Sequence, residues 1–435
     1  MKKALSVLCA LVLSLTAALA LAGCGGGGAG SSGGDGKITI WWPGSSVEMQ
    51  AIEQAKEDYE AQHEGIEIDI IGQSTPDFFN AYLLAMSGTS APDIAYVDHV
   101  YVQTLAYYGY IADLTEYGCD DLESKYVPSL WEPNLYEDGL YGLPMSANVL
   151  ATVYNKTLIA EAQGTTVDKI TLPKNYEELL ALCEDIYALN DETTTNDPYY
   201  GITIPSGTGN TSMAAMSYLA FVDRCGGDGI LSADLKTAQL ATDASKDAAK
   251  KLAELGKYAP NTFAEAKFES GKVGFIEMGS WKIEDYEKYS EQYEWEVGYT
   301  TSIPFTEGGN AGSTIGLYSL VVTKNADSEI AADFAAFLTS NDKYQLAFAT
   351  PQNLIPTTVS ALEDSHYSGD IWQVYIDQLD NAVVRPGSPV WTDIETELHT
   401  FLTNLVQQKY KTAEDIEMEC TALNTRVQRA INEIY

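Results

Sequence analysis

The chain has 435 residues, of which 45% are hydrophobic and 20% charged, and its formal net charge is −37 at pH 7. This composition is typical of a globular protein long enough for two α/β lobes of ordinary size. The acidic excess argues against nucleic acid as a partner and against a basic face that binds anionic lipid, because phosphate neutralisation requires clustered Lys and Arg. Beyond the N-terminal segment, no apolar run approaches the ~18 residues that a transmembrane helix requires.

The N-terminal segment has the pattern of a secretory signal peptide. Two lysines precede an uncharged apolar run from Ala4 to Ala22, which ends in the sequence Leu-Ala-Gly-Cys24. Small residues before a cysteine are typical of a lipobox, where the leader is cleaved and the cysteine lipidated. We therefore predict a signal peptide over residues 1–23 and lipidation of Cys24. An ordinary signal peptide with a chance cysteine is the alternative.

Residues 24–36 are almost wholly Gly, Ser and Ala, so they cannot bury apolar surface and are expected to form a flexible tether. A lipidated cysteine followed by a short tether would hold the folded part of the chain at the extracytoplasmic face of a membrane. The tether suits a cell with a single membrane, but the sequence leaves the envelope type open.

The next sixty residues alternate between strand and helix patterns. The predicted strands are 37–42, 66–71 and 93–97, and the predicted helices are 47–63 and 77–87. This β-α-β-α-β order predicts a parallel sheet with crossover helices. Ligands on such sheets bind beyond the carboxyl ends of the strands.

A second group of elements follows. We predict one strand leaving the first lobe at 141–146 and another entering the next at 150–155. The later predicted strands are 273–278, 295–299 and 317–322. The predicted helices are 176–190, 212–224, 244–258, 328–339 and 342–349, with a largely helical tail from Trp391.

Tyrosine and tryptophan are abundant, with 28 Tyr and 7 Trp against 11 Phe. Both join a flat apolar face to a polar edge, which suits stacking on sugar rings, although generic surface and lobe-interface packing also uses them. Trp41 and Trp42 are adjacent in a strand, so one is expected in the core and the other towards a cleft. Trp281 follows a Gly-Ser turn, where a side chain is presented rather than packed.

Cysteine and histidine spacing gives no sign of a metal or cofactor site. The mature chain would retain Cys119, Cys183, Cys225 and Cys420, without a C-x-x-C pair, so disulfides and free thiols both stay open. The four histidines are widely spaced, which argues against a zinc cluster.

Four short segments occur in a characteristic order. They are Ala-Pro-Asp-Ile94, Leu-Pro144 through Tyr-Asn-Lys156, Gly-Lys-Val-Gly-Phe275 with Gly-Ser-Trp281, and Arg385-Pro followed by Trp391. Together they resemble the family 1 extracellular solute-binding proteins of ABC importers, the group that includes maltodextrin-binding proteins. The resemblance covers nearly all of the mature chain.

The resemblance implies an α/β, two-lobed periplasmic-binding-protein-like fold of type II, with hinged lobes and a ligand cleft between them. Lobe 1 would comprise residues 37–146 and 312–350, and lobe 2 residues 150–305 and 358–435. The ligand-binding residues that it implies are Trp41, Trp42, Ser45, Ser46, Asp98, His99, Asn148, Trp281, Arg385 and Trp391.

For four of these residues the sequence leaves an alternative open. Asp98 and His99 could form a simple strand-end loop, Arg385 could contact only a neighbouring carboxylate, and Trp391 could pack the lobes. The loop from Gly207 to Ser212 resembles a phosphate-binding loop only weakly, and we interpret it as a cleft loop that meets a polar ligand.

The sequence also departs from the maltodextrin binders. Ser45 and Ser46 stand where those proteins carry a charged pair, Asn148 replaces a Glu, and Val-Tyr101 replaces an acid-base pair. Maltodextrin specificity is therefore not supported.

The prediction is a non-enzymatic lipoprotein that captures a carbohydrate and delivers it to the permease subunits of an ABC importer. Another small polar solute, such as a glycerol phosphate, a polyamine or a peptide, is the first alternative. A secreted glycoside hydrolase, which requires two carboxylates facing one bond, and an adhesive surface lipoprotein without a closing cleft are the others.

Overall fold

The computed structural model describes residues 36–44, 46–73, 78–86, 90–306, 308–324 and 328–435. The predicted leader, Cys24 and Ser45 lie outside these residues, as do the tether up to residue 35 and the side chain of Ser46. Among the helices that the structure describes, none combines the length and the apolar character that a membrane crossing needs.

The strands, in chain order, are β1 (Lys37–Trp42), β2 (Glu67–Gly72), β3 (Ile94–Asp98), β4 (Leu135–Tyr136), β5 (Gly139–Leu140), β6 (Leu143–Asn155), β7 (Tyr200–Thr203), β8 (Val273–Gly279), β9 (Val297–Thr300), β10 (Ser313–Val322) and β11 (Ala382–Val384). The first helices are α1 (Ser46–Glu60), α2 (Phe78–Met86), α3 (Val102–Tyr107), α4 (Pro128–Trp131), α5 (Lys156–Ala162), α6 (Tyr176–Tyr187), α7 (Thr211–Arg224) and α8 (Asp243–Leu255). The later helices are α9 (Glu265–Glu269), α10 (Ile283–Gln292), α11 (Ser328–Thr339), α12 (Asp342–Ala349), α13 (Asp370–Leu379), α14 (Trp391–Val406) and α15 (Ala413–Ile434).

The main sheet has the strand order β2-β1-β3-β10-β6-β8-β7, with β11 beside β10 and β9 beside β6. β1 runs parallel to β2 and β3, so the predicted parallel start of the sheet is confirmed. β10 runs antiparallel to both β3 and β6, which makes the complete sheet mixed.

The two strands predicted at 141–146 and 150–155 are one continuous strand, β6. Its first half pairs with β10 up to Val149, and its second half pairs with β8 and β9 from Leu150 onward. The strand therefore exchanges one set of partners for another without a break. A change of partner leaves no turn signal in the sequence, and for this reason the prediction divided the strand.

The hydrophobic side chains form separate clusters along this sheet. One packs Trp42 against α11 and α12, and another packs α7, α8, α14 and α15 around Tyr218 and Leu398. A third lies on the middle of β6 and β10, and Tyr375 of α13 packs against it. The predicted helices at 328–339 and 342–349 and the helical tail are confirmed, whereas α13 and β11 were not predicted. The lobe boundaries stay a prediction.

Candidate functional site

A cavity of about 530 Å³ lies where the carboxyl ends of β1 and β3 meet the middle of β6 and β10. A second chamber of about 330 Å³ adjoins it and shares its wall at Pro43, Tyr96, Asp98, Ser212 and Tyr318. Crevices beyond strand ends are where open α/β sheets bind ligands. The polar and aromatic side chains that line the larger chamber are Glu48, Tyr96, Asp98, Ser146, Asn148, Ser212, Trp281, Tyr318, Gln352 and Arg385.

Stacked aromatic rings connect the core to this cavity. Trp42 is fully buried and stacks on Tyr96 with ring centroids 4.1 Å apart. Tyr96 stacks on Tyr318 at 5.0 Å, and Tyr318 is 36% exposed in a strand whose other residues are buried. Tyr318 therefore presents a ring to the cavity from a position fixed by the core behind it.

The structure gives Trp41 and Trp42 different surroundings, and the contact of Trp41 with a ligand stays a prediction. The alternation of β1 does place the two on opposite faces, but neither lines the two chambers. Trp42 is held in the core, where its Nε1 donates to Glu48 Oε2 at 3.0 Å. Trp41 lies in a second apolar cluster, with its ring 6.4 Å from that of Tyr82.

Trp281 is the second aromatic side chain on the cavity wall, at the place where the sequence predicts one. It lies two residues after Gly279, the last residue of β8, and its ring lies directly over that glycine, where an added Cβ would come within 1.7 Å of the ring. A glycine at 279 is therefore required for the observed orientation of Trp281.

Asn148 also lines the cavity as predicted, and it too depends on a glycine. It pairs with Gly316 across β6 and β10, and a Cβ at 316 would lie 2.4 Å from the Asn148 amide oxygen. Beside it, the Ser146 hydroxyl shares a 2.7 Å hydrogen bond with Tyr96 Oη. Amide, hydroxyl and phenol groups thus give this wall both donors and acceptors.

A buried ion pair forms the base of the cavity. Arg385 donates from one terminal nitrogen to both carboxylate oxygens of Asp98, at 2.8 and 2.9 Å, and from the other to Ser212 Oγ at 3.1 Å. Burial alone would raise the pKa of Asp98, but the charge of Arg385 and the hydrogen bond from His99 lower it well below its usual range. Arg385 lines the cavity and contacts a neighbouring carboxylate, whereas its contact with a ligand stays a prediction.

His99 requires correction as a ligand residue, because it is 1% exposed and lines neither chamber. Its Nδ1 lies 3.0 Å from Asp98 Oδ1 and 3.1 Å from the Leu317 carbonyl oxygen. Since both neighbours only accept, Nδ1 carries a proton and donates. His99 therefore positions Asp98 rather than meeting a ligand.

Trp391 requires a similar correction, in favour of its packing alternative. It is 1% exposed and belongs to the core cluster of α7, α8, α14 and α15. In the Gly207–Ser212 loop, only Ser212 reaches the cavity, and the Gly207 backbone amide is instead bonded to Thr403 Oγ1 at 3.0 Å.

Other reactive groups do not converge on the cavity. The four described cysteines are all unpaired, and burial raises the pKa of Cys119 to about 11 and of Cys420 to about 12, so these two behave as inert core residues. Among the side chains that the structure describes, no group of His, Cys, Asp and Glu is arranged to hold a metal ion.

Sequence reasoning missed Tyr318 and Glu48, whereas Ser212 belongs to the loop that the sequence predicted to meet a ligand. Tyr318 left one usable signal, because it is a lone amphipathic aromatic residue inside an apolar strand between Leu317 and Leu320. Such strands are buried on both faces, so a tyrosine within one needs a polar outlet. Glu48 lies on an ordinary helix start and left no comparable signal.

Comparison with known proteins decides the family. Residues 54–373 match the family described as bacterial extracellular solute-binding protein. The chain belongs to this family. The resemblance drawn from the four short segments is thereby confirmed, and the site described above is the cavity of a solute-binding protein.

Two named relatives and one solved structure are similar to this solute-binding protein. The maltotriose-binding protein of Pyrococcus abyssi is 30% identical over 172 residues, which cover 40% of this chain and only 34% of that relative. The galactooligosaccharide-binding protein of Bacillus subtilis is 23% identical over 316 residues, 66% of this chain and 67% of the relative. The solved cyclic alpha-maltosyl-1,6-maltose binding protein from Arthrobacter globiformis has a TM-score of 0.76 at 21% identity, covering 91% of this chain and 100% of that one. The two-lobed α/β fold is confirmed.

Proposed function

We propose that this solute-binding protein captures a carbohydrate and delivers it to an ABC importer. The observation that carries the proposal is the presence of Tyr318 and Trp281 in one cavity together with amide, hydroxyl and carboxylate groups. A sugar ring has apolar C–H faces that stack on aromatic rings, and hydroxyls that both donate and accept hydrogen bonds at its edge. The cavity offers both kinds of partner, as ligand sites with a few placed polar groups do.

The size of the site favours a ligand of more than one ring. The two adjoining chambers, about 530 and 330 Å³, share the wall that Tyr318 and Asp98 form. Phe79 and Tyr101, which line the smaller chamber, stack on each other and give it an apolar wall of its own. The names of the two relatives, which bind maltotriose and galactooligosaccharides, support an oligosaccharide.

The proposal includes a lipid anchor at Cys24 and closure of two lobes on the ligand. A carbohydrate that contacts both lobes would favour the closed state by its differential affinity for it. Small-angle scattering tests this step, because saturating carbohydrate should then reduce the radius of gyration. An identical scattering profile with and without a bound carbohydrate would contradict closure.

A thermal-shift panel tests the proposal as a whole. The panel contains neutral oligosaccharides, glycerol 3-phosphate, spermidine and a tripeptide, because a ligand that binds only the native state raises the unfolding temperature. We expect stabilisation by at least one oligosaccharide and, in chromatography of the same mixture, no cleavage products. Stabilisation by a non-carbohydrate alone would overturn the carbohydrate assignment, and turnover would favour a hydrolase.

A further inference from the structure

The charged side chains around the cavity are unequal in sign. Among the described residues that line the two chambers, Arg385 carries a positive charge, whereas Glu48, Asp98 and Glu395 carry carboxyl groups. Burial raises the pKa of Glu395, but Asp98 stays ionised at neutral pH because Arg385 lowers its pKa. A ligand therefore meets one cation accompanied by at least one permanent anion.

The guanidinium of Arg385 already forms hydrogen bonds with protein side chains. Its side chain is 2% exposed, Asp98 holds it through two oxygens, Ser212 takes a third hydrogen bond, and Glu395 Oε1 lies 3.7 Å from it. Charge-assisted hydrogen bonds of this type are strong. The remaining donor, Nε, has no partner among the described residues but is itself buried, so an incoming anion would compete with a carboxylate for the guanidinium. Both terminal nitrogens of the guanidinium, the groups that usually bind a carboxylate or phosphate, are thus already bonded to protein side chains.

Resting on the proposed function, we propose that the Asp98–Arg385 pair determines which ligand charge the cavity accepts. The cavity binds uncharged sugars and rejects sugars that bear a carboxylate, sulfate or phosphate. A neutral sugar can use Asn148 and Glu48 as partners without disturbing the pair. An anionic ligand would lose its hydration without gaining a cation and would face the charge of Asp98 at short range. The pair therefore acts as an electrostatic filter, which is discrimination by repulsion as well as attraction.

The test compares wild type with the double variant Asp98→Asn, Glu395→Gln, which leaves Arg385 without an anionic partner in these chambers. The matched control is Asp234→Asn, Glu433→Gln, which removes the same two charges from exposed positions outside the cavity. Calorimetry measures maltotriose, galactobiose, the C6-oxidised uronate of each, and inorganic phosphate.

We expect wild type and control to bind a neutral sugar at least 100-fold more tightly than its uronate. In the double variant, this ratio of the two affinities should fall at least tenfold. The double variant should also bind phosphate. Wild type that binds a uronate as tightly as its neutral parent would overturn the filter while leaving the carbohydrate proposal intact. This arm does not depend on folding of the variant. If no sugar binds wild type, the proposed function fails, and the phosphate arm still decides the filter: a folded double variant that ignores phosphate overturns it.

Discussion

Tyr318 stacks on Tyr96 with an interplanar angle of 16° and a centroid distance of 5.0 Å. Because Tyr96 also stacks on the buried Trp42, the ring in the cavity is continuous with the core. A ring held in this way has little rotamer freedom to lose on binding, which lowers the entropic cost of complex formation. Trp42, which the sequence predicted as one of the ligand-binding residues, thus packs behind the ring that faces the cavity.

Replacing Tyr318 by Ala should weaken carbohydrate binding by about 1–3 kcal/mol, the range of a central aromatic contact, which is roughly 5- to 150-fold in the dissociation constant. Calorimetric titration with the strongest sugar from the panel measures it. Tyr293→Ala is the matched control, since Tyr293 is also exposed and lies outside both chambers. Equal changes in the two variants would remove Tyr318 from the site.

Replacing Gly279 by Ala should weaken binding without touching a ligand contact directly. The new Cβ would lie 1.7 Å from the Trp281 ring, so the ring must leave its observed position. We expect an affinity loss close to that of Trp281→Ala, about 1–3 kcal/mol. Gly369→Ala serves as the control because open space surrounds that position. Unchanged affinity in Gly279→Ala would show that the orientation of Trp281 does not matter.

Trp42→Ala should chiefly reduce stability. Its side chain is fully buried, and truncation of a buried tryptophan costs about 3–5 kcal/mol in the free energy of unfolding. Trp41→Ala should cost less, because Trp41 is only partly buried. Denaturant unfolding of both variants measures the difference. A larger loss for Trp41 would reverse the roles that the structure gives to the pair.

Many helices and strands could be predicted from the sequence, whereas the pairing between strands could not. Periodicity placed α11 and α12 at their observed bounds, because both bury a regular apolar face. It could not show that β6 continues through residue 148, since that depends on which strands pair with it. Long-range pairing is a property of the sheet and not of the local sequence.

The site shows the same limit. Trp281 and Trp391 both follow turn residues, and the structure places only Trp281 in the cavity. The helix after Trp391 buries Ile394 and Leu398, so its 3.6-residue spacing already favoured a core position for Trp391. Tyr318 and the partners of Arg385 come from distant segments, and tertiary packing alone brings them together.

Cys24→Ala tests the anchor, which follows from the Leu-Ala-Gly-Cys24 sequence. We expect the variant to be released from the membrane fraction or to remain unprocessed, because a lipobox cysteine supplies both the cleavage position and the site of lipid attachment. Fractionation followed by mass measurement of the N-terminus distinguishes the forms. Normal processing with retention at the membrane would contradict the lipobox.

The central claim is that a carbohydrate binds in the cavity between Tyr318, Trp281 and the Asp98–Arg385 pair. An X-ray structure of the complex with the strongest sugar from the panel tests it most directly. We predict density for a sugar ring in contact with Tyr318 or Trp281, with its hydroxyls near Asn148. Density in the separate 810 Å³ groove lined by Tyr59 and Asp333, with the cavity left empty of sugar, would contradict the claim.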